Sequence, residues 1–207
     1  MRLLAVLSVP ETQKVPHVVL VGLMGSGKTT VGRKVAALLG SRFVDGDEEL
    51  EQRFGRTVAS WFEELGELEF REAEADVLDD LLESGSPVVI GAGGGVVVTG
   101  RNRLRLQRDD VAVAYLHGDP NFLGSRAKPK PHRPLLSGDV DPKEILAQMY
   151  EARDPWYREV ADVIVEVRPA HESGESPKWR LARQVVEALV NAELVAPEVV
   201  NHSVAPR

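Results

Sequence analysis

The chain has 207 residues, enough for one domain of ordinary size with a real core. Its apolar fraction of 43% and charged fraction of 28% exclude a disordered class, and a net charge of −7 argues against a nucleic-acid surface as its main business. The absence of cysteine excludes disulfides, a thiol nucleophile and thiolate metal sites, and the five histidines lack metal-ligand spacing.

Residues 1–14 read as a ragged leader: the apolar run is short, and Pro10-Glu11 follows it without a small-residue cleavage site. No apolar run approaches the roughly 20 residues that a membrane span needs, so the expectation is a cytoplasmic protein without a membrane partner. From there the chain alternates short β-rich runs with longer helical patterns, the signature of stacked βα units and a parallel sheet. The β-branched run His17-Val18-Val19-Leu20-Val21 predicts a central strand. Residues 29–39 carry Val31, Val35, Ala36, Leu38 and Leu39 at helical spacing and stop at Gly40. Arg42-Phe43-Val44-Asp45 predicts a second strand, and Asp47 opens an acidic helix start that suits the helix dipole.

Helices are expected over residues 58–65 and 68–82, broken near Gly66. Pro87-Val88-Val89-Ile90 is a strand running into Gly91-Ala92-Gly93-Gly94-Gly95, residues 111–116 a fourth and residues 163–167 a fifth. Helices follow over 143–150 and 178–190. Residues 128–138 resist secondary structure inside the domain and are a lid candidate, whereas the tail from Glu193 is expected to be disordered or loosely attached. The domain proper is therefore taken as residues 15–192.

The strongest signal is Gly22-Leu23-Met24-Gly25-Ser26-Gly27-Lys28-Thr29, a full match to G-x-x-x-x-G-K-[ST] lying between a strand and an amphipathic helix. Its glycines let backbone N–H groups wrap phosphates, and the following helix presents its positive end. Lys28 reaches the β- and γ-phosphates and the Thr29 hydroxyl is placed to ligate Mg²⁺. A guanine-nucleotide switch would also need D-x-x-G and N-K-x-D segments, and neither tetrapeptide occurs.

Three further features bear on the acceptor. Asp45-Gly46-Asp47 supplies two carboxylates at i and i+2; one can hold magnesium through water while the other orients or deprotonates a hydroxyl. Alone, the pair reads equally as a strand-ending acidic turn. Arg71 has Glu67 four residues before it and Glu74 three after, which alone reads as a solvated ion-pair face. Gly93-Gly94-Gly95 ends an apolar strand, where open α/β sheets place ligands, although it fails as a dinucleotide fingerprint because the third required position is Val96.

Together and in this order, these pieces resemble the shikimate kinase family. The resemblance runs over residues 18–167 and includes Phe70-Arg71, the segment Arg133-Pro134-Leu135-Leu136, and Arg153 before Pro155-Trp156-Tyr157. It implies an α/β P-loop fold of the nucleoside monophosphate kinase type, with a central parallel five-stranded sheet flanked by helices and a lid at about residues 127–138. The implied reaction is transfer of the γ-phosphoryl of ATP to the 3-hydroxyl of shikimate, with Mg²⁺ as cofactor, on the route to aromatic amino acids.

Lys28, Asp47 and Arg133 become the expected catalytic groups, Asp47 at the reacting hydroxyl and Arg133 on the transferring phosphoryl. ATP falls to Gly22, Met24, Gly25, Ser26, Gly27, Lys28, Thr29, Thr30, Arg126, Arg133 and Pro177, the last in competition with Pro169 as the proline beside adenine. Shikimate falls to Asp47, Arg71, Gly93, Gly94, Gly95 and Arg153, with the two arginines on its carboxylate. Phe62 and Phe70 would make an apolar wall and are equally explained as core. Thr29 and Asp45 support the metal. Two departures from the family stand out: a proline-rich lid, whose Lys128 and Lys130 receive no role, and a longer stretch over residues 168–177. A monomer is expected, with no partner beyond its two substrates.

Overall fold

The computed structural model describes residues 16–126, 141–168 and 176–204, except for the side chains of Arg126 and Pro142. Five parallel strands form one sheet: β1 (His17–Val21), β2 (Arg42–Asp45), β3 (Val88–Gly91), β4 (Val111–His117) and β5 (Val163–Glu166), in spatial order β2-β3-β1-β4-β5. β1 is buried along its whole length, as a strand covered on both faces must be, whereas edge strand β5 alternates buried and exposed residues. Helices α1 (Lys28–Leu38), α2 (Gly46–Phe54), α3 (Val58–Glu64), α4 (Glu67–Leu82), α5 (Gly100–Leu106), α6 (Pro120–Arg126), α7 (Pro142–Val160) and α8 (Pro177–Asn191) make the connections and cover the sheet.

The strand order reverses at β1, whose neighbours are β3 on one side and β4 on the other. Such a reversal opens a crevice at the carboxyl ends of the strands. Register then fixes what projects into it. Leu20 of β1 and Asp45 of β2 both pair with Gly91 of β3, so three strands end at one level. Two residues beyond that level lie Gly22, Asp47 and Gly93. Sheet pairing alone brings the phosphate loop, the second carboxylate and the glycine run to one edge.

Three expectations need correction. The helix expected over residues 143–150 runs on to Val160, with Pro155 inside it. An interior proline costs about 3 kcal/mol, and here Tyr157 and Val160, both buried beyond it, supply packing that holds the helix together. Helix α5, not anticipated, is a two-turn segment whose exposed Leu104 blurs its pattern. The segment from Glu193, expected to be loose, packs as far as residue 204. Val195 is buried, two short 3₁₀ turns follow (Pro197–Val199 and His202–Val204), and the Asn201 N–H donates to Leu38 O at the end of α1 across 2.6 Å. Among the described residues no helix is long and apolar enough to cross a membrane. The lid candidate lies outside the described residues.

Candidate active site

Between β1 and α1 the chain turns through three left-handed glycines, Gly22, Gly25 and Gly27. A methyl group on Gly22 would lie 2.7 Å from Leu116 O, and one on Gly25 2.8 Å from Leu123 O, so the loop admits no side chain at either position. Gly27 caps α1 without any side-chain hydrogen bond, which leaves the helix's first amides for an anion. The Lys28 ammonium donates to Gly22 O at 2.7 Å and Leu23 O at 3.1 Å, folded over the loop it would share with phosphates.

The Thr29 hydroxyl donates to Asp45 Oδ2 across 2.6 Å. That bond turns the hydroxyl lone pairs away from the carboxylate and strengthens them as donors to a cation. Asp45 Oδ1 meanwhile accepts from the N–H groups of Asp47 and Glu48 as the N-cap of α2, which fixes the carboxylate's orientation. No cluster of three or more acidic or histidine ligands exists among the described residues. One hydroxyl backed by one carboxylate suits Mg²⁺, which takes its remaining ligands from water and nucleotide phosphates.

A cavity of about 570 Å³ joins this loop to the acceptor side, lined among others by Lys28, Asp47, Arg71, Glu74, Gly93 and Arg153. Asp47 Oδ1 and Glu74 Oε1 converge on Gly93, where a methyl group would lie 2.7 Å from each. Burial first, then the neighbouring Glu74 and Asp45 carboxylates, push Asp47 up to about 6, with Lys28 and Arg71 opposing. Burial also raises Glu74, against the pull of Arg71. Asp47, half-protonated near pH 6 and mostly ionised at neutral pH, is suited to accept a proton from a hydroxyl.

Arg71 is buried, and burial works against its charge; Glu74 and Glu67 outweigh that and hold it protonated. Its Nε and one Nη donate to Glu67 Oε1 at 3.2 and 3.1 Å, and the other Nη donates to Glu74 Oε2 at 2.8 Å. These bonds leave one N–H on each Nη for a further acceptor. The guanidinium lies 5.0 Å from the Phe70 ring centre and 5.9 Å from that of Phe62, and the two rings pack at 4.8 Å. The two aromatics therefore serve both as a wall of the cavity and as the bed of Arg71. A methyl group on Gly95 would collide with that guanidinium. Arg153, on α7, donates from Nη1 to Gly94 O at 3.0 Å.

Residues 24–192 match the family model for shikimate kinase. A shikimate kinase of Burkholderia lata is 44% identical over 158 residues, covering 75% of this chain and 84% of that one. The chain belongs to the shikimate kinase family. The solved structure of the shikimate kinase of Acinetobacter baumannii in complex with shikimate superposes with a TM-score of 0.78 at 35% identity, over 88% of this chain and 97% of the other. A gluconokinase from Sinorhizobium meliloti, at 22% identity and a TM-score of 0.55 over 87% of this chain, shares the fold.

Against that shikimate kinase frame, the described site residues fall into two groups. Met24, Gly25, Lys28, Thr29, Asp45, Asp47, Arg71, Gly93, Gly94, Gly95 and Arg153 line the one cavity, with Gly27 and Thr30 at its seam with a second. The second, of about 500 Å³, runs between α1, β5 and α8 and is lined by Ser26, Val165, Val167 and Pro177. Pro177 opens α8 at its first position. Arg133, Lys128, Lys130 and Pro169 lie outside the described residues, as does the Arg126 side chain, although Arg126 ends α6. Two functional neighbours escaped the sequence reading. Glu74 was an ion-pair partner on a solvated face, yet Phe70, Ala73, Val77, Leu78 and Leu81 are all buried at helical spacing around it, so the stripe itself carried the signal. Tyr157 was only a flanking letter, and nothing in its spacing from Gly94 signals their contact.

Proposed function

We propose that this chain transfers the γ-phosphoryl group of ATP to the 3-hydroxyl of shikimate in aromatic amino-acid biosynthesis. The observation that carries the reading is one cavity holding a phosphate loop, a carboxyl raised to about 6 and two arginines around a glycine run. A small carboxylate bearing hydroxyls fits those three demands at once. Lys28 and the α1 amides hold the phosphates. Asp47 orients the acceptor hydroxyl and takes its proton as the bond to phosphorus forms. Arg71 and Arg153 grip the carboxylate, and backbone groups of residues 93–95 contact the ring hydroxyls.

Mg²⁺ would be held by the Thr29 hydroxyl directly and by Asp45 through water; when bound, it neutralises charge on the β- and γ-phosphates. We assign Arg126 and Pro177 to adenine and Arg133 to the transferring phosphoryl group, with the lid of residues 127–138 excluding water on closure. We further propose a cytoplasmic monomer. A coupled ADP-release assay with shikimate, gluconate and nucleoside monophosphates tests the reading. Shikimate-dependent turnover is expected; turnover with gluconate and none with shikimate overturns it.

A further inference from the structure

Helix α7 carries Arg153 and Tyr157 four residues apart, hence on one face. Both donate to the same acceptor: Tyr157 Oη to Gly94 O at 2.5 Å and Arg153 Nη1 to Gly94 O at 3.0 Å. Tyr157 is fully buried and stacks on Tyr115 with ring centres 4.9 Å apart and planes at 27°. Tyr115 in turn donates to Asp154 Oδ1 at 2.9 Å. The phenol is thus held rigidly. Burial first, outweighing the neighbouring Arg153, moves its titration well above the ordinary tyrosine range, so it stays a donor.

Gly94 sits at the seam of the site. A methyl group there would lie 3.7 Å from both Gly22 O and Met24 N, so this residue faces the phosphate loop, while methyl groups on its neighbours in sequence would meet Asp47 and Arg71. Arg153 commits one N–H to that carbonyl, and swinging its guanidinium toward a substrate carboxylate would cost that bond. A partly buried carbonyl left without a partner would hold that arginine back.

We propose that Tyr157 is a positioning residue of the acceptor site: it keeps the Gly94 carbonyl bonded, so that Arg153 can release it and turn to the substrate carboxylate. One donor stays fixed and the other is free to move. This inference rests on the shikimate kinase reading and adds a residue to it.

The test compares steady-state kinetics of the wild type, Tyr157→Phe and Tyr115→Phe, each varied separately in shikimate and ATP. Tyr157→Phe keeps the ring stack and removes only the hydroxyl, so Gly94 O depends on Arg153 alone. The shikimate KM should rise about five- to tenfold, the scale of one ordinary neutral hydrogen bond, with the ATP KM unchanged. Tyr115→Phe, which breaks the bond to Asp154 and leaves Gly94 O bonded, should leave both constants at wild-type values. An unchanged shikimate KM in Tyr157→Phe, equal rises in both constants, or the same rise in Tyr115→Phe overturns the inference while the kinase reading stands. A wild type inactive on shikimate overturns both.

Discussion

Asp47 and Glu74 aim one carboxyl oxygen each at the same face of Gly93, and neither could do so if that residue carried a side chain. Two acidic groups so placed resist simultaneous ionisation, and Glu74 is the chief charged neighbour that raises Asp47. The base form of Asp47 fills as pH rises through about 6, so kcat/KM for shikimate should climb across that pH and fall about tenfold per unit below it. Glu74→Gln removes a charge that raises Asp47 and should move this acid limb to lower pH. A limb that stays put would show that the coupling is absent.

The same shift has a cost in stability. Asp47 binds its proton more tightly folded than unfolded, so its contribution is present below about 3.8 and is lost as pH rises through about 6. Asp47→Asn escapes that loss. The variant should be more stable than the wild type by about 3 kcal/mol at pH 8 and close to it below pH 4, as read by urea unfolding. It should also abolish transfer while ATP binding persists.

Removing Arg71 should expose how much of its burial is a matched pair. Arg71→Met leaves Glu74 buried without its cation and should cost about 3–5 kcal/mol. Arg71→Met combined with Glu74→Leu should recover most of that loss, measured by chemical denaturation, and neither protein should bind shikimate. Arg71→Lys, a point charge that cannot serve Glu67, Glu74 and a substrate together, should raise the shikimate KM more than tenfold with little change for ATP.

On the proposed reading Asp45 meets magnesium only through water and orients the Thr29 hydroxyl, so Asp45→Asn should weaken magnesium binding without removing a direct ligand. The Mg²⁺ concentration needed for half-maximal rate should rise about 10- to 100-fold, with activity recovered at high magnesium. A loss that magnesium cannot rescue would place Asp45 elsewhere in the reaction.

Deleting residues 193–207 should remove the burial of Val195 and the Asn201 bond to Leu38. Unfolding free energy should fall by about 2–4 kcal/mol, with kcat at 20 °C unchanged.

Much of this was legible in the letters. Strands β1, β3 and β5 are short runs rich in β-branched residues and bounded by glycine, proline or charge, and the phosphate loop declares itself because its spacing is local. What was not legible depends on packing. The helix expected to end at residue 150 runs through Pro155, and only the burial of Tyr157 and Val160 shows why it continues. The tail from Glu193 reads as loose because its apolar residues, Leu194, Val195, Val199 and Val200, have no regular period, yet they pack against the core. Glu74 and Arg71 looked like surface charges because their i,i+3 spacing is common on exposed helices. Their burial follows from the stripe that surrounds them.

The glycine triplet divides into unequal parts. Gly93 leaves room for two carboxylates and Gly95 for a guanidinium, whereas an added methyl at Gly94 meets nothing closer than 3.7 Å. Part of the acceptor chamber is therefore carved from side chains that were never there. A protein engineer can place alanine at position 94 without evicting a functional group, and so narrow the passage between nucleotide and acceptor. The same letter at 93 or 95 would push out the machinery itself.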